Sequence, residues 1–129
     1  MSMPMNAKLL TATCLSAIGL AGIACAETTL VMVEQDGCYY CGQWHAEVGD
    51  IYPQTEFADA APLRIVDLHD LPDDLSFETR VVFTPTFVLV EDGQEIARAE
   101  GYVGEELFWM HMELLSRQLS EYHDAAAAQ

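Results

Sequence analysis

The chain has 129 residues, with 21 acidic side chains against 5 basic ones and a formal net charge of −16 at pH 7. That length suits one compact domain. So acidic a surface repels phosphate backbones and anionic headgroups, which argues against nucleic acid as a partner and favours one that is basic or docks through an apolar patch.

In chain order, the first feature is an export signal. Lys8 supplies a thin positive start, Leu9 to Ile23 is apolar but short for a membrane span, and Ala24-Cys25-Ala26 has the small-x-small form of a cleavage site. Residues 1–26 are therefore predicted to be a cleaved signal peptide, with the mature chain starting at Glu27. The alternative, a lipid on Cys25, lacks the usual leucine three positions earlier. Taking 26 residues from 129 leaves 103, with four arginines, no lysine and all 21 acids, a net charge of −17. Of the four cysteines, Cys38 and Cys41 remain, too few for a disulfide-framework domain. The domain is predicted over 27–123, and residues 124–129, mostly alanine, as a fraying tail.

Leu30-Val31-Met32-Val33 reads as a strand buried on both faces. A helix is predicted from about Tyr39 to Tyr52, stopped by Pro53, with Cys41, Trp44, Val48 and Ile51 on its apolar stripe and Gly42 and Gly49 weakening it. Leu63 to Leu68 reads as a second strand, completing a right-handed parallel unit. The stretch "LPDDLSFETRVVF" has room for one short helix. "PTFVLV" and "EIARAEG" flank Asp92-Gly93, a strong hairpin signal. The last segment reads as a helix whose stripe of Phe108, Met112, Leu115 and Leu119 is core packing. The predicted order is β-α-β, a short helix, then β-β-α: an α/β fold with a four-stranded mixed sheet and helices on both faces.

Cys38 and Cys41 fall where the first strand hands over to the first helix, the end of an open α/β sheet where sites usually lie. Free amides at a helix start favour thiolate, the attacking species in disulfide exchange. Cys41, one turn on, lies on the buried stripe. The pattern is an exposed nucleophile beside a sheltered thiol, close enough to close a disulfide. The same spacing could serve zinc, but two further ligands are needed. His45 is the only histidine nearby; His69, His111 and His123 are scattered. No metal and no cofactor is expected.

"GCYYC" after a buried strand, then "FTPTFVLV" and "DGQEIARAEGYVGEELF", resembles the thioredoxin-fold oxidoreductases over roughly Thr28 to Leu119. With the signal, it is most similar to the small periplasmic thioredoxins of bacterial sulfur-oxidation (Sox) systems. The resemblance implies that Cys38 and Cys41 are the catalytic, redox-active pair. It implies that Thr84-Pro85 is a cis bond beside them, and that Gly37, Tyr39, Tyr40, Thr84, Pro85 and Gly101 form a groove for extended substrate. It also implies a periplasmic reductant of a cysteine-containing partner protein, fed by a membrane thiol transporter. Reduction of apocytochrome c, general disulfide repair or a regulatory or metal-handling Cys-pair module are the alternatives. There are departures from thioredoxin. Gly37 replaces the tryptophan before the pair, no proline lies within it, and Met32 stands where thioredoxin has a buried acid. Glu34 is the candidate to replace that acid. Glu34 and Asp36 beside Cys38, with no cation between the cysteines, argue for a modest thiolate and a reducing potential.

Overall fold

The computed structural model describes residues 25–129, so the predicted signal segment lies almost wholly outside the described residues. Four strands form one sheet: β1 (Thr28–Glu34), β2 (Leu63–Asp67), β3 (Thr86–Glu91) and β4 (Gln94–Glu100). Their spatial order is β2-β1-β3-β4. β1 and β2 run parallel, with Leu30 opposite Leu63 and Val33 opposite Val66. β3 is antiparallel to both its neighbours. Around the sheet lie helices α1 (Tyr39–Trp44), α2 (Glu56–Ala60) and α3 (Glu105–Ala127).

The period of two along the strands divides the core into two layers. Leu30, Met32, Phe87 and Leu89 point to one face, where they meet Trp44, Val48, Tyr52, Phe108, Met112 and Leu115. Trp44 is fully buried, its ring within 5.5 Å of Phe87 and 5.8 Å of Phe108 between centroids. Val31, Val33, Val88 and Val90 point to the other face and meet Val66 and Val81. The unbroken apolar runs of β1 and β3 thus reflect burial on both sides.

Several expectations are corrected here. The first helix is α-helical only to Trp44 and continues as a π-helix over His45–Gly49. The wider π turn carries the inward face one residue further along. Tyr52 is buried and Ile51, predicted on the stripe, is 43% exposed. The short helix is not within 71–83. It is α2, started by Thr55, whose hydroxyl accepts the Ala58 N–H.

Helices therefore cover only the first face among the described residues, not both. The second is covered by an irregular segment, 68–83, which contributes Leu68, Leu75, Phe77 and Val81. Its backbone bonds go elsewhere than into a helix: Ser76 N–H donates to Gly93 O, and Glu95 N–H donates to Ser76 O. Arg64 holds Asp74 through two bonds of 2.7 and 3.0 Å.

Asp92 and Gly93 make the predicted hairpin turn, both at positive φ (50° and 81°). α3 continues to Ala127, into the stretch predicted as a tail. Alanine is the residue that most favours helix.

Candidate active site

Parallel pairing of β1 with β2 brings the carboxyl ends of both strands to one edge, with the start of β3 beside them. The chain leaves β1 at Glu34 and turns at Gly37, where φ is +75° and a side chain is strained. α1 then begins. Cys38 is its N-cap, and its sulfur accepts the Cys41 N–H at 3.2 Å. Cys41 is buried among the first-face core and Cys38 is half-buried against it. The two are joined as a disulfide, with Cα atoms 5.3 Å apart.

Of the predicted groove residues, Thr84, Pro85 and Gly101 are tied together on the β3 side of that disulfide, whereas Gly37 and Tyr39 line a concavity on the β2 side. The Thr84–Pro85 bond is cis. Gln35 fixes this loop to the cysteine turn: its Nε2 donates to Thr84 Oγ1 at 2.8 Å, and Cys38 N–H donates to Gln35 O at 3.3 Å. Gly101, at the end of β4, donates its N–H to Pro85 O at 2.7 Å. Tyr39 and Tyr40 form an edge-on pair, centroids 5.4 Å apart, and Tyr39 is 70% exposed.

Sequence reasoning missed the apolar flanks of this face. Val82 and Phe83 precede the cis bond, Val103 follows Gly101, and all three are exposed. Their signal is apolar residues next to the groove motifs but outside any helical or strand period. Gln35 was missed too, and nothing local to it announces a partner 49 positions away.

On the β2 side lies an open concavity of about 850 Å³, whose lining includes Glu34, Asp36, Cys38, Cys41, His45 and Asp67. Thr84, Pro85 and Gly101 do not line it. Here Glu34 meets His45, Oε2 to Nε2 at 2.6 Å. His69 Nε2 lies 3.2 Å from Gln35 Oε1. In the first-face layer, Tyr102 donates to Glu47. Burial and that carboxylate push the Tyr102 phenol well above its ordinary range. No group of three or more His, Cys, Asp or Glu side chains among the described residues is arranged to hold a metal ion.

A half-buried cysteine with an N–H aimed at its sulfur, bonded to a second cysteine buried in the core, can exchange one disulfide for another. The comparisons agree with this chemistry. A thioredoxin-like domain description matches residues 23–116. A search of curated proteins returned no match. Among solved structures, the periplasmic thioredoxin SoxS from Paracoccus pantotrophus, in its reduced form, is 44% identical. The match covers 72% of this chain and 99% of that one, with a TM-score of 0.70. With a family match over most of its length and a near full-length relative at that identity, this chain belongs to the thioredoxin-like family, as a thiol-disulfide oxidoreductase resembling periplasmic SoxS.

Proposed function

We propose that the protein is a periplasmic reductant that passes two electrons from its Cys38–Cys41 dithiol to a disulfide, or an oxidised cysteine, of a partner in sulfur oxidation. The observation that carries this reading is the 44% identity to a periplasmic SoxS over 99% of that chain. Residues 1–26 are its export signal. Cys38 attacks, because it is the less buried of the two cysteines and its sulfur receives the Cys41 N–H. Cys41 resolves, because it is buried. The face formed by Gly37, Tyr39, Tyr40, Thr84, Pro85 and Gly101 receives extended partner backbone. The bacterial periplasm is kept oxidising, so the spent disulfide needs an electron donor, and a membrane thiol transporter is the donor that suits it.

Trapping tests this. Cys41→Ser expressed in a sulfur-oxidising host should accumulate a mixed disulfide through Cys38 to a sulfur-oxidation protein, and Cys38→Ser should accumulate none. Capture only of cytochrome-maturation proteins or of unselected periplasmic proteins would replace the sulfur-oxidation role. A mixed disulfide formed by Cys38→Ser through Cys41 would reverse the cysteine roles.

A further inference from the structure

Three separate stretches of chain meet at Gln35. Gln35 itself follows β1, at the start of the cysteine turn, and its backbone carbonyl accepts the Cys38 N–H at 3.3 Å. Its Nε2 donates to Thr84 Oγ1 at 2.8 Å. Its Oε1 lies 3.2 Å from His69 Nε2. His69 follows β2 and Thr84 precedes β3, so one side-chain amide holds both ends of the segment 68–83 beside Cys38.

That amide is directional. A carboxamide donates only through its nitrogen and accepts only through its oxygen. With the nitrogen on Thr84 the oxygen faces His69, and the hydrogen of that contact must come from the imidazole Nε2. A donor held there favours this orientation over the flipped amide, in which two donors would face each other. His69 is itself held, because its backbone N–H donates to Asp67 Oδ1 at 2.7 Å.

The consequence falls on Thr84. A hydroxyl has one hydrogen to donate. Thr84 Oγ1 accepts from Gln35, so its own hydrogen is left over, and it goes to no acceptor among the described residues. Thr86 shows the contrast: its hydroxyl donates to Phe83 O at 2.7 Å. Thr84 is half-buried, between exposed Phe83 and buried Pro85, on the loop of the cis bond. A hydroxyl donor fixed at that place suits a carbonyl oxygen, the acceptor that every residue of an extended chain carries.

We propose that Gln35 and His69 are positioning residues that make the Thr84 hydroxyl a hydrogen-bond donor to a backbone carbonyl of the partner. The donor favours disulfides flanked by extended chain over small disulfides that lack a carbonyl. Gln35 and His69 act through Thr84 and do not touch the partner. The inference rests on the groove reading proposed above.

The test compares two substrates of the reduced protein. One is a short neutral peptide whose single cysteine is joined to thionitrobenzoate. The other is the same mixed disulfide on mercaptoethanol, which has no carbonyl. In both, Cys38 thiolate bonds to the aliphatic sulfur, the original S–S bond breaks, and thionitrobenzoate leaves with the electron pair. It is the lower-pKa thiol, and its colour gives the rate. The ratio of the two rate constants isolates the groove, because a change at the Cys38 sulfur enters both.

Wild type should favour the peptide. Thr84→Val keeps the shape without the hydroxyl and should lower that preference roughly threefold to tenfold. Thr84→Ser should restore it. Gln35→Glu should lower it as Thr84→Val does, because a carboxylate can still meet both His69 and Thr84 but only accepts, and so takes the hydroxyl hydrogen. The double variant should lose no more than either single one. His69→Phe frees the amide to turn over and should lose part of the preference. Thermal melts check that each variant is folded. A preference unchanged in Thr84→Val, Gln35→Glu or His69→Phe, or losses that multiply in the double variant, would overturn the proposal and leave the groove standing. Equal slowing of both substrates in Thr84→Val would assign the hydroxyl to the Cys38 sulfur instead. A wild type with no preference for the peptide would remove the groove and this donor with it.

Discussion

At the scale of single residues, the charge beside Cys38 governs how reducing the pair is. A site that holds the reduced, thiolate form well is an oxidant. Asp36, two residues before Cys38, opposes that thiolate. His45, at this edge of the β1 turn, faces Glu34 rather than the sulfur. The protein should therefore lie nearer the roughly −270 mV of thioredoxin than the roughly −120 mV of DsbA. Asp36→Lys should move it toward oxidising values by on the order of 10–30 mV. Equilibration with glutathione buffers measures both proteins, and a shift toward reducing values would show that local charge does not set the direction. Much of this was legible beforehand. Cys38 and Cys41 sit in a short motif whose spacing carries its meaning, whereas Thr84, Pro85 and Gly101 were singled out only through the family resemblance. The Glu34–His45 contact was not, because a pair eleven positions apart across a strand-to-helix turn depends on how far α1 rotates.

Between elements, a buried polar link joins β4 to the segment 68–83. Glu95 and Arg98 are three apart on a strand and would ordinarily face opposite ways. A bulge changes that. Glu95 pairs with Val90 and Ala97 with Leu89, leaving Ile96 as an extra residue. Arg98 then reaches Glu95 through Nε at 2.6 Å and Nη2 at 2.7 Å, and also donates to Thr79 O. Glu78 N–H donates to Glu95 as well. The side chains are only 4% and 13% exposed. Burial works to raise the Glu95 carboxyl, but the Arg98 hydrogen bond, the Glu78 N–H and the Arg98 charge outweigh it and hold the group below its ordinary 4.5. A depressed carboxyl stabilises the fold fully above its unfolded value, and that contribution fades as pH falls through the lower folded value. Glu95→Gln should cost roughly 1–3 kcal/mol near pH 7, and the gap to wild type should narrow below about pH 4. Urea midpoints at several pH values check this; a gap independent of pH would discount the ion pair. The same region shows where sequence legibility ended. Strand runs and the Asp92-Gly93 turn were visible because they are local. The irregular cover was read as a helix because its binding partners, Gly93 and Glu95, lie about twenty residues downstream.

For the whole molecule, the predicted cleavage point and the described fold can be compared at Glu27. Its backbone N–H donates to the Asp92 side chain at 3.0 Å, and Glu27 O accepts from Asp92 N–H. A chain cut after Ala26 retains both atoms and carries only the two active-site thiols. Intact mass of periplasmic material should therefore begin at Glu27; a lipid on Cys25 would instead make the protein membrane-anchored.

The hairpin that receives Glu27 also steers the far side of the molecule. Segment 68–83 leaves the active-site edge after β2, runs the length of the valine face to Asp74 and Ser76, and returns to that edge at Thr84. Its outer bend is stitched to Gly93, where an added Cβ would lie 2.2 Å from Asp74 O. A methyl group there pushes the bend off the hairpin, and the strap slackens along its whole return path. Gly93→Ala should lower stability by roughly 1–3 kcal/mol. It should also speed amide hydrogen exchange from Asp74 through Thr84, loosening the loop of the cis bond from the opposite end of the sheet. Exchange that quickens only at the turn would mean that the strap transmits nothing, and that the Thr84–Pro85 loop is held by Gln35 and Gly101 alone.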